Sequence, residues 1–67
     1  MIGRGEGIDQ ILRFIQEHPE SYASLAVCRR ALDAGLERVT GDVLLRLEEY
    51  LREAPDDEIA AYYSIVS

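Results

Sequence analysis

One cysteine, one histidine and no lysine occur in this 67-residue chain, and no apolar run approaches the roughly 18 residues that cross a membrane as a helix. Each scarcity excludes something. A single Cys28 cannot close an internal disulfide, and with His18 it makes too few soft ligands for a structural zinc site. Without lysine, every one of the seven bases is arginine, which reflects either a coding bias or a need for bidentate pairing. The stretch after Met1 lacks the apolar core of a signal peptide, so with a free thiol the expected location is the cytoplasm. Three of the five glycines, Gly3, Gly5 and Gly7, alternate in that stretch, and residues 1–7 read as a flexible leader. Nothing alternates apolar and polar residues for more than a few positions, which argues against a sheet.

What remains is short and greasy. Hydrophobic residues make up 48% of the chain, including eight Leu, six Ile and four Val. Sixty-seven residues form one domain, placed at residues 8–67, and so short a chain buries only about 60% of its unfolded surface. A core of this size supplies about 3–5 kcal/mol and is usually reinforced by disulfides, a metal or association. With the first two excluded, homodimerisation is the expected outlet for surplus apolar surface. The expected fold class is all-α: a small bundle of three to four short helices completed by dimerisation.

Proline and glycine divide the helical periodicity. A first helix is expected over residues 8–17, with Ile8, Ile11, Leu12 and Ile15 in one stripe and Phe14 on its flank, ending before Pro19. A second spans residues 20–34, its inner face built from Ser24, Leu25, Val27, Cys28, Ala31 and Leu32, with Gly35 as the expected C-cap. The third covers residues 42–54, capped by Thr40 or Asp42, with Val43, Leu44, Leu47, Tyr50, Leu51 and Ala54 inward. Pro55 breaks it. Asp56, Asp57 and Glu58 then suit the positive end of a fourth helix, although the Tyr, Ile and Val content of residues 56–66 also permits a strand.

Catalytic chemistry finds no support. Cys28 falls on an apolar helix face, where a thiolate is costly, and His18 falls at a helix end beside proline. The carboxylates of Glu48–Glu49 and Asp56–Glu58 lie on helix exteriors with no cleft to desolvate one of them. Gly3-Arg4-Gly5-Glu6-Gly7 follows no strand and is no phosphate loop, and the three consecutive acids lack the alternate spacing of a calcium loop. No enzyme activity, cofactor or metal is expected.

Charge carries the functional reading. Residues 42–58 contain seven acids (Asp42, Glu48, Glu49, Glu53, Asp56, Asp57, Glu58) against Arg46 and Arg52, whereas residues 1–41 are nearly balanced. Two helices joined by a turn suggest a helix-turn-helix DNA-binding regulator, with Arg29, Arg30 and Arg46 on phosphates. The linker over residues 35–41 is too long for that motif, and Asp42, Glu49 and Glu53 on the would-be recognition helix repel phosphate. The preferred expectation is a non-enzymatic protein-interaction module, an adaptor or inhibitor, that forms homodimers and binds a partner protein. Leu45, about 100° outside the third helix's apolar stripe, joins Glu49, Glu53, Asp56, Asp57, Tyr62 and Tyr63 as candidate contacts. A third expectation is an acidic inhibitor that mimics a nucleic-acid backbone, as small proteins of mobile elements do; that likeness is one of composition.

Overall fold

Four helices and the turns between them account for the computed structural model, which describes residues 3–67: α1 (Arg4–Glu17), α2 (Tyr22–Leu32), α3 (Gly41–Glu53) and α4 (Asp56–Val66). No strand occurs among the described residues, so the choice between helix and strand at residues 56–66 falls to helix. Local chemistry sets most boundaries. The Ser24 amide donates to the Ser21 hydroxyl at 3.1 Å and caps α2, while the Val43 amide donates to Thr40 and caps α3. Pro55, with no amide hydrogen to leave unsatisfied, sits directly before three acids that face the positive end of α4.

Three boundaries differ from expectation, the simplest being that α2 starts at Tyr22 and not at Glu20, because Ser21 takes the N-cap. The helix expected to begin at Ile8 begins at Arg4, so Arg4–Gly7 of the expected leader are helical, while Met1 and Ile2 lie outside the described residues. Gly7 is buried, and a Cβ built on it would stand 3.3 Å from Cγ2 of Ile59. Its missing side chain is what lets α1 approach α4 so closely. At the other end of α2, Asp33 rather than Gly35 adopts the left-handed conformation that stops the helix, at φ 50° and ψ 48°. Aspartate tolerates this region better than most residues that carry a Cβ. Its backbone amide donates to the Arg29 carbonyl, and the Arg29 guanidinium donates to the Leu36 carbonyl at 2.6 Å, holding the linker against α2.

α1 lies against α3 and α4, and α2 lies against the same two. The core draws on all four: Ile8, Ile11 and Ile15, then Val27, Cys28 and Ala31, then Val43, Leu47, Leu51 and Ala54, then Ile59 and Tyr62. On the expected inner face of α2, Ser24, Val27, Cys28 and Ala31 are buried while Leu25 and Leu32 are half-buried. Leu44 and Tyr50 likewise flank the core instead of entering it. The buried Ser24 hydroxyl donates to the His18 carbonyl at 2.6 Å, and among the described residues no buried side-chain nitrogen or oxygen lacks a partner. A radius of gyration of 10.6 Å matches the ~11 Å of a compact body of this length. The surplus apolar surface behind the dimer expectation is modest: Tyr22, Leu45 and Ile65 are the large apolar side chains left exposed among the described residues.

Candidate functional site

Helix α3 turns Val43, Leu47 and Leu51 into the core, which leaves Leu45, two residues from both Val43 and Leu47, on the outside with 64% of its surface exposed. It stands on the lip of a groove of about 530 Å³ between α1 and α3, lined also by Leu12, Gln16, Gly41, Asp42, Leu44 and Glu48. Leu12 and Leu44 are half-buried and form the apolar floor. Glu49 and Glu53 follow Leu45 at four-residue intervals along α3 and are exposed, so one ridge carries a leucine and then two acids. Opposing charge is sparse: Arg52 reaches Glu48 at 3.5 Å, a solvated i,i+4 pair of little strength, and Arg46 is exposed beside Leu45.

The remaining candidates separate from this face. Asp56 accepts from the Arg4 guanidinium at 2.7 Å, and the same guanidinium donates to the Leu51 and Arg52 carbonyls at 3.0 and 2.9 Å. Arg4 therefore closes the carbonyl end of α3 and binds the first turn of α4 at once. Around that pair Gly3, Gly7, Ile59, Ala60 and Tyr63 line a second groove, of about 450 Å³, between α1 and α4. Asp57 is exposed at the start of α4, and Tyr63 is half-buried.

Tyr62 is a correction. It is 1% exposed and belongs to the core, so it is not available to a partner. Its hydroxyl donates to Oε1 of Glu58 at 2.8 Å, and the Tyr50 hydroxyl donates to both carboxylate oxygens, the Oε2 contact being 2.7 Å. Two tyrosines from α3 and α4 thus share one carboxylate. The Tyr50 bond, then the Tyr62 bond, hold the Glu58 carboxyl below its ordinary range against the opposing effect of burial, helped by the nearby Arg30 charge. Burial first, then Glu58, pushes the Tyr62 hydroxyl up; for Tyr50 the bond to Glu58 comes first. Sequence reading missed this hub. The i,i+4 spacing of Glu58 and Tyr62 signals one half of it, but Tyr50 lies across the Pro55 break and nothing local pairs it with Glu58.

The arginines proposed for phosphate contact have other engagements or neighbours. Arg29 holds the Leu36 carbonyl, Arg30 stands near Glu58, and Arg46 projects from the face that carries Asp42 and Glu49. Residues 33–40 connect α2 to α3, longer than the three- to four-residue turn of a helix-turn-helix. Cys28 is fully buried, its thiol pushed up by that burial, and the His18 ring rests on Phe14 with centroids 4.9 Å apart. Among the described residues no cluster of three or more His, Cys, Asp and Glu side chains could hold a metal, and no helix is long and apolar enough to cross a membrane. Comparison with known proteins finds no matching family, no matching characterised protein and no matching solved structure.

Proposed function

We propose that this chain is a non-enzymatic protein-interaction module that presents the outer face of α3 to a partner protein in the cytoplasm. The observation that carries the reading is Leu45, exposed at the mouth of a groove floored by leucines, on a helix face where acids outnumber bases. An exposed leucine alone means little. One set over a groove floored by Leu12 and Leu44 offers the apolar centre and polar rim of a protein contact. A photo-crosslinking side chain placed at position 45 should trap one discrete partner in the source cells, whereas one at Glu20 should not. No adduct at position 45, together with retardation of random duplex DNA at low salt, overturns the reading in favour of a DNA-binding regulator.

Homodimerisation forms the second part of the reading, and the α1–α4 groove favours it. Arg4 and Asp56 neutralise one another there, and Gly3, Gly7, Ile59, Ala60 and Tyr63 carry no formal charge. A chain of net charge −6 meets least self-repulsion on such a surface.

A further inference from the structure

We infer, on the reading just given, that the groove between α1 and α3 takes a basic amphipathic helix of the partner, with its apolar face on Leu12, Leu44 and Leu45 and arginine or lysine side chains beside Asp42 and Glu48. The groove runs between two adjacent helices, a shape into which the side-chain ridge of a third helix fits. Its lining contains two carboxylates and no base. Arg52 meets Glu48 only in a solvated contact at 3.5 Å that a partner's base can replace, and Arg46 stands exposed beside Leu45. Asp9 extends the negative charge on α1, one turn before Leu12, and Glu49 extends it on α3. Gly41 adds no side chain at the mouth, and nothing lies within 4 Å of where its Cβ would stand, so the approach to Leu44 and Leu45 is open. A second copy is a poor occupant: across a two-fold axis the Asp42 and Glu48 carboxylates would meet their own kind. Nucleic acid is worse, because the same carboxylates face its phosphates.

The test uses the full chain and two synthetic helical peptides of leucine with lysine and of leucine with glutamate, identical in their apolar positions. In fluorescence anisotropy at low salt the lysine peptide should bind at least about tenfold tighter than its glutamate twin, and the difference should shrink as salt is added. Leu45→Ala should weaken the lysine peptide by about tenfold, as loss of a central apolar anchor does. The double variant Asp42→Asn, Glu48→Gln should flatten the salt dependence while circular dichroism stays that of the wild type. Equal binding of both peptides, or no effect of Leu45→Ala, overturns the basic-helix occupant. If Leu45→Glu instead abolishes a dimer seen by light scattering, the occupant is a second copy and the broader reading survives. If neither peptide binds while position 45 still crosslinks a partner in cells, the groove serves a partner of another chemistry. If that crosslink fails as well, the interaction reading falls with it.

Discussion

Glu58 is the residue whose environment most exceeds its local role. By position it is the third acid of a helix start, yet it accepts from the hydroxyls of Tyr50 and Tyr62 and so joins α3 to α4. Because its folded carboxyl titrates below its unfolded one, the unfolded state binds the proton first as pH falls. The stabilisation it contributes is therefore complete above the ordinary carboxyl range and is lost as pH drops through the lowered folded value. Glu58→Gln, which keeps a carbonyl acceptor but no charge, should melt below wild type at pH 7, and the gap should close on acidification toward pH 3. A gap that stays constant across that range would show that Glu58 acts by shape alone. Tyr62 gives the opposite sign: its folded hydroxyl is raised, so stability holds below the ordinary tyrosine value of 10.0 and falls as pH rises past it. In the core, Leu47 is fully buried, and Leu47→Ala should cost about 2–5 kcal/mol by urea titration, comparable with the whole stability of a domain this small.

At the scale of elements, α1 shows most plainly where local signals stop. Three of the first five residues from Gly3 are glycine, of which Gly5 and Gly7 fall within α1, where glycine costs about 0.5–1 kcal/mol relative to alanine, and periodicity alone places the helix start after them. The start at Arg4 is held by tertiary contacts: its guanidinium on the last carbonyls of α3, and Gly7 against Ile59. The two helical glycines should accordingly respond differently to alanine. Nothing lies within 4 Å of a Cβ on Gly5, so Gly5→Ala should stabilise by about 0.5–1 kcal/mol. A Cβ on Gly7 presses on a buried, β-branched isoleucine, so Gly7→Ala should gain less or lose, and equal gains by urea titration would show that α1 and α4 are looser than the structure. Elsewhere the elements were legible in the sequence. Thr40 and Pro55 bracket α3 to within a residue of the expected span, and three acids after Pro55 mark α4. The buried residues of α2, Ser24, Val27, Cys28 and Ala31, all lie on its expected inner face; what periodicity does not show is that Leu25 and Leu32, more apolar than Ser24 and Ala31, stay half-buried at the edge of that face. The angle of Leu45 on the helix marks it in the sequence. Its groove is not marked there, since Leu12 and Gln16 reach it only through the packing of α1 on α3.

For the whole molecule, charge decides how the two surfaces should behave. At about 0.01 M salt the Debye length is roughly 30 Å. The longest dimension of the chain is 32 Å, so at that salt its six net negative charges act over most of the distance between two contacting copies. At about 0.15 M the length falls to roughly 8 Å and most of that repulsion is screened. Contact between copies through the neutral α1–α4 groove must then strengthen with salt, whereas binding of a basic helix at Leu45 must weaken. Opposite salt dependences separate the two surfaces without knowledge of the partner. By light scattering after size exclusion at micromolar concentration, the wild type should move from monomer toward dimer mass between these salts. Ala60→Glu sets a carboxylate in the middle of the groove, on a solvent-facing position of α4, and should keep the chain monomeric at both salts with an unchanged helical spectrum. Monomer mass for the wild type throughout would mean that the core, closed by Tyr62 and Ile59 from within, needs no second copy to cover it.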